Sequence, residues 1–76
     1  LNNLNAEILE FIVKPNSAVS GKLIREIDFP RLATIGGVIR DGEGVIALGA
    51  FKITKGDRVV VCCLPSAIPK IEKLFL

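Results

Sequence analysis

Three serines, two adjacent cysteines and eight carboxylates are the side chains that could do chemistry here, and their spacing limits what that chemistry could be. Ser17, Ser20 and Ser66 would need a base to become nucleophiles, and the chain contains no histidine. Cys62 and Cys63 are neighbours, and neighbours on a strand face opposite sides, so the two neither pair readily nor share a metal. Without histidine or a second cysteine pair a zinc site has no ligand set, and the pair reads as two small apolar core residues in a reducing cytoplasm. Asp41, Glu43 and Asp57 are turn acids that lack the alternating ligand spacing of a calcium loop. No metal is expected.

Glu10 lies in an apolar stretch where desolvation could raise its pKa. One carboxylate without a cleft makes no active site, and the other reading sets Glu10 at a sheet edge or beside Lys14 or Arg58. Gly42-Glu43-Gly44-Val45-Ile46-Ala47 matches the dinucleotide pattern G-x-G-x-x-[GA] letter for letter. That pattern works only between a strand and a helix whose N-terminus holds a pyrophosphate. A β-branched stretch follows here, so the glycines read as hairpin-turn residues. No catalytic set emerges, and the chain reads as a protein that is not an enzyme.

Two features suit binding. Asp28 and Arg31 flank Pro30 beside an apolar stripe of Ile24, Ile27 and Ile35, a combination that fits a small polar ligand in a groove between two copies, or an ordinary solvated corner. Gly36-Gly37 inside a strand marks a bulge, a close approach by another backbone or a ligand, or a helix packed tightly over the sheet. Asp28, Arg31, Ile35 and Gly36 are therefore the candidate ligand residues.

The elements that would position them follow from pattern. Residues 1–5 read as a linker or lead-in and 6–76 as one domain. From Ala6 to Lys14 both alternating sets are largely apolar, which predicts a strand covered on both faces, ended by Pro15-Asn16-Ser17. Ser20 is placed to cap a short helix over 21–27, with Leu23, Ile24 and Ile27 as its apolar stripe, Lys22 and Glu26 as an i,i+4 pair, and Pro30 as its stop. Ala33 to Arg40 predicts a strand, Asp41-Gly42 a tight turn, Val45 to Leu48 the returning strand, and Phe51 and Ile53 a short extended piece. After the Lys55-Gly56-Asp57 turn comes a strong strand, Arg58 to Leu64. Ser66 then caps a last helix with Pro69 in its first turn and Ile68, Ile71, Leu74 and Phe75 on one side. The order β-α-β-β-β-α is a small α+β domain, two helices against a mostly antiparallel sheet.

Composition bounds the function. Seventy-six residues make one small domain, half of them hydrophobic and nearly all of those aliphatic. So small a core without disulfides suggests that a partner covers some apolar surface, and a homodimer is expected. The ten Lys and Arg are scattered with no aromatic interleaving, which argues against nucleic acid as a partner. No apolar run approaches a membrane span and no signal peptide opens the chain. A start at Leu1 is expected of a piece cut from a longer protein.

The ordered set of these features resembles the C-terminal domain of RCK proteins (regulators of potassium conductance), and within them the TrkA type. The resemblance rests on Ser17-Ala18-Val19-Ser20-Gly21-Lys22 before the first helix, Val38-Ile39-Arg40-Asp41-Gly42 followed by Val45-Ile46, and Lys55-Gly56-Asp57-Arg58-Val59-Val60-Val61. The last helix, Leu64 to Phe75, is also similar, and the likeness covers about residues 6–75. It implies a regulatory lobe of a potassium-uptake system, cytoplasmic and peripheral to the inner face of the membrane, that controls a membrane-embedded translocation subunit. It implies no cofactor in these residues, because nucleotides bind a separate Rossmann domain. It also implies a homodimer, with Leu23, Ile24 and Ile27 expected at the contact and room for a small ligand between protomers. In relatives that bind cyclic di-AMP the corner carries Asp, Arg two residues on, and a later Asn; here Asp28 matches, Pro30 stands in the Arg place, and the Asn place falls at Ile35 and Gly36. The other class of function in view is a small-ligand sensor lobe of another transporter or of a multidomain enzyme.

Overall fold

The computed structural model describes residues 5–76; most of the expected lead-in, residues 1–4, lies outside them. Four strands, β1 (Glu7–Ile12), β2 (Ala33–Arg40), β3 (Glu43–Val45) and β4 (Arg58–Cys63), form one antiparallel sheet in the order β1-β4-β2-β3. A helix α1 (Ile68–Phe75), entered through a 3-10 turn at Pro65–Ala67, packs on one face. The small α+β fold expected from the residues is therefore present, with β4, the most apolar strand, at the centre of the sheet.

Register decides which residues meet α1. On β4, Val59, Val61 and Cys63 are buried, and they pair with Phe11, Leu9 and Glu7 of β1 on one side. On the other side Val38, Ile35 and Ala33 of β2 pair with the same three residues. Ile71 and Phe75 of α1 close this face, and the Phe75 ring stacks on Phe11 with centroids 4.7 Å apart. Cys62 and Cys63 do face opposite sides, one half-buried and one buried.

The glycines act as turn and bulge residues. Asp41 and Gly42 both have positive φ, 52° and 79°, the twist that a two-residue hairpin between β2 and β3 demands. The register slips between Ile35 and Gly37, a bulge at the glycine pair, and a Cβ on Gly37 would lie 3.2 Å from the Val45 carbonyl oxygen. The bulge and the close backbone approach both occur.

Several local expectations are corrected. The helix over 21–27 is a single 3-10 turn, Ile24–Glu26. Its N–H groups are taken elsewhere: Gly21 and Ile24 donate to the carbonyls of Ile53 and Phe51, and Arg25 to that of Gly49. Gly21 at φ 80° also breaks helical geometry, so tertiary pairing outweighs a weak local preference. Glu26 does not pair with Lys22; its Oε1 accepts the Leu23 N–H at 2.9 Å. The strand placed at Val45 to Leu48 is instead β3 (Glu43–Val45), because the turn is so tight that pairing begins at once with Arg40 opposite Glu43. β1 is covered on one face only: it is a sheet edge, and Ile8 and Ile12 are exposed. Ser66 caps nothing; it lies in the 3-10 turn, and α1 begins after Ala67 without a side-chain cap.

Candidate functional site

The bulged strand β2 and the two loops flanking it build one candidate groove. Ile24 of the 3-10 turn and Phe29 come from one loop, Ala33, Thr34 and Ile35 from β2, and Ala47, Leu48 and Gly49 from the segment after β3. Together they line a hollow of about 330 Å³. Gly49 lets the loops close on each other: a Cβ there would lie 3.3 Å from the Arg25 Cβ, and the Arg25 N–H donates to the Gly49 carbonyl at 3.0 Å. No ionisable side chain lines the hollow, and Thr34 supplies its one side-chain hydroxyl. Such a lining suits a ligand with an apolar body that is oriented by a few hydrogen bonds.

Ile24 and Ile35, named from the sequence as a contact and a ligand residue, both line this hollow. Asp28 and Arg31 are exposed and form no ion pair with each other among the described residues. Arg31 borders a separate hollow of about 260 Å³ with Leu32, Cys62 and Leu64, and Gly36 lines a third on the sheet face away from α1. Ile27 packs partly against the core, and Leu23 is half-buried in a bridge to Lys52. Phe29, Thr34, Leu48 and Gly49 escaped the sequence reading; the sole signal was an apolar Ala47-Leu48-Gly49 run after a hairpin, which reads equally well as strand.

Near the β2–β3 turn the structure brings together a pair that the sequence left apart. Asp57 is buried (2% exposed) and its carboxylate receives Arg40 on both oxygens, Nε to Oδ1 at 2.8 Å and Nη2 to Oδ2 at 2.7 Å. Oδ2 also accepts the Thr54 N–H at 2.9 Å, and Arg40 Nη2 donates to the Lys52 carbonyl at 2.9 Å. The guanidinium lies over the Phe51 ring, 4.6 Å from its centroid. Hydrogen bonding to Arg40 holds the Asp57 carboxyl below its ordinary range against the opposing effect of burial, and the same bonding raises Arg40. Asp57 is thus a structural anchor whose oxygens are fully engaged. Glu10, expected at an edge or beside a basic residue, does both: it sits on β1 and accepts Arg58 Nη1 at 2.9 Å.

No group of three His, Cys, Asp or Glu among the described residues could hold a metal ion, and no helix there is long and apolar enough to cross a membrane.

The sequence profile of the TrkA-C domain matches residues 8–76. The chain is 40% identical over 70 residues to the Trk system potassium uptake protein TrkA homolog 2 of Methanosarcina mazei, and 39% identical over 70 residues to homolog 1 of that organism. Each match takes in 92% of this chain and 16% of the relative. The TrkA homolog of Archaeoglobus fulgidus is 32% identical over 68 residues, 90% of this chain and 15% of that protein. The chain therefore spans about a sixth of the length of the curated relatives it matches. Among solved structures, an RCK domain described as solved with cda superposes with a TM-score of 0.76 at 18% identity, covering 88% of this chain and 96% of that one. The profile match over nearly the whole chain and the shared fold lead to one conclusion: the chain belongs to the TrkA-C domain family.

Proposed function

We propose that this chain is the regulatory, dimerising lobe of a potassium-uptake system, acting from the cytoplasmic side on a membrane-embedded translocation subunit. The observation that carries this reading is the TrkA-C match over residues 8–76 together with potassium-uptake relatives near 40% identity. The site is suited to binding rather than turnover, since its hollow is apolar and no ionisable side chain lines it.

In this reading the two-fold contact forms around Leu23, Ile24 and Ile27, and the exposed Leu48 at the rim of the neighbouring hollow adds apolar area. A small ligand enters the hollow between protomers, held by Ile24, Ile35 and Thr34, while the exposed Asp28 and Arg31 supply charge at the corner beside it. An RCK domain of the same fold has been solved with cda, which supports the choice of a small ligand over a macromolecule. A lobe of this kind controls transport only through a ligand that binds one arrangement of the dimer better than the other, and a tenfold preference corresponds to about 1.4 kcal/mol of coupling.

Light scattering on the chain with and without cyclic di-AMP, ATP, NADH and calcium tests this directly. A dimer whose stability responds to one of them locates sensing in this lobe. Leu23→Asp and Ile24→Asp should each yield monomers that retain the native circular dichroism spectrum, and a dimer that survives both places the contact elsewhere. Because the chain spans a sixth of its relatives, a second reading as the sensor lobe of another transporter or enzyme stands beside the first, and the sequence flanking these residues separates the two.

A further inference from the structure

An edge strand leaves half of its backbone groups unpaired, and the two edges of this sheet differ in how far they do so. β3 is three residues long, and the strand beside it carries the bulge. β1 instead runs six residues in unbroken register with β4, without proline or bulge. Its phase is fixed at one end: the Val13 N–H donates to the Asp57 carbonyl at 2.9 Å, and the Val13 carbonyl accepts the Gly56 N–H at 2.8 Å. Alternation carries that phase back along the strand. Phe11, Leu9 and Glu7 bond to β4, while the N–H and C=O groups of Ile12, Glu10 and Ile8 point outward. Glu10, the charge in the middle of the strand, does not guard the edge, because its carboxylate is held by Arg58.

A groove of about 730 Å³ lies between β1 and α1, and no residue of β4 lines it, which sets it on the free side of β1. From α1 come Pro69, Glu72, Lys73 and Leu76, whose three- and four-residue spacing makes them one stripe of the helix. The stacked rings of Phe11 and Phe75 supply apolar surface, and Lys14 stands just beyond the end of β1. The backbone decides the shape of an occupant. A row of outward N–H and C=O groups at strand spacing is matched by another extended backbone, whereas a helix has already spent its own groups internally and an acyl chain has none. Charge decides its composition. Lys14 and Lys73 form no ion pair among the described residues, and Glu72 is the one lining carboxylate that no base holds, so the groove carries a surplus of positive charge.

We propose that this edge and groove dock an extended, acidic-ended segment of a partner polypeptide, which adds to the sheet as a further strand beside β1. The partner backbone pairs with Ile8, Glu10 and Ile12. Its alternate apolar side chains rest against Phe11, Phe75 and Leu76, and its carboxylates reach Lys14 and Lys73. A six-residue strand spans about 20 Å, so the segment recognised is about five to seven residues long. The site lies apart from the hollow at Ile24 and Ile35 and from the contact assigned to Leu23, and it rests on neither.

Blocked eight-residue peptides in which valine alternates with threonine, tipped at both ends with aspartate or with lysine, test it by NMR on this chain. At about 1 mM the aspartate peptide should slow exchange of the Ile8, Glu10 and Ile12 amides about tenfold or more, while Leu9 and Phe11, already bonded to β4, change little. N-methylation of the peptide at alternate residues should abolish binding in one phase and spare it in the other, since only one set of its N–H groups faces β1. Lys14→Glu combined with Lys73→Glu should switch the preference to the lysine peptide, a reversal that a folding defect cannot produce. No protection by either peptide, binding indifferent to the phase of N-methylation, or a preference unmoved by the charge reversal overturns the proposal. Outward amides that are already protected without peptide, and more so at higher chain concentration, would give the edge to a second copy and overturn it too.

Discussion

Arg40 and Asp57, seventeen residues apart, meet in two parallel hydrogen bonds of 2.8 and 2.7 Å that tie the β2–β3 turn to the start of β4. The pair is asymmetric: the Arg40 side chain is 37% exposed and that of Asp57 is 2%. Removing the arginine strands a buried carboxylate, whereas removing the aspartate leaves a guanidinium that water can reach. Arg40→Ala should therefore cost about 3–5 kcal/mol and Asp57→Ala about 1–3 kcal/mol in urea unfolding. Equal costs would mean that Asp57 finds another partner.

The same pair sets an acid limit on stability. The Asp57 carboxyl titrates below the ordinary aspartate value of 3.8 in the folded chain, chiefly through its hydrogen bonds to Arg40. The lowered folded pKa means that its stabilisation is complete above the unfolded value and is lost as pH falls through the folded one. Melting temperature should decline from about pH 5 downward, and Asp57→Asn should flatten that decline while lowering stability at pH 7. A decline of undiminished slope in Asp57→Asn would assign the acid limit to other carboxylates.

The β2–β3 turn offers a test of backbone strain. Asp41 and Gly42 both stand at positive φ, where a side chain is unfavourable. Gly42→Ala should cost about 1–2 kcal/mol, whereas Asp41→Gly should be neutral or slightly stabilising. Thermal unfolding of the two variants reads both signs.

Packing and exposure separate two aliphatic residues of similar size. Ile71 is fully buried under the sheet and Leu48 is 72% exposed at the groove rim. Ile71→Ala should cost about 2–5 kcal/mol, and Leu48→Ala should stay within about 0.5 kcal/mol in the monomer. A large effect of Leu48→Ala under associating conditions alone would place it at a contact between copies.

The adjacent cysteines should react unequally. Burial pushes the Cys63 thiol above its ordinary range, with Glu7 adding to the effect, while Cys62 is half-exposed on the opposite face. A neutral-pH thiol reagent should modify one equivalent quickly, and Cys62→Ser should abolish that fast phase. Two fast equivalents would indicate that β4 opens readily.

Much of the fold was legible because it rests on short-range rules. Val59 to Cys63 could be nothing but a central strand, Asp41-Gly42 nothing but a tight turn, and Ile71 with Phe75 had to lie on the covered side of the last helix. The first helix was misread because its N–H groups bond across to residues 49–53, a choice that depends on a segment some twenty-five residues away. Groove and buried ion pair share that origin. Ile24 meets Leu48, and Arg40 meets Asp57, only once β2 has paired with β4 and the two loops have closed over the sheet. Spacing in the chain decides which way a side chain points on its own strand or helix. Which distant side chain it then faces is decided by sheet order and register, and those are properties of the packed molecule alone.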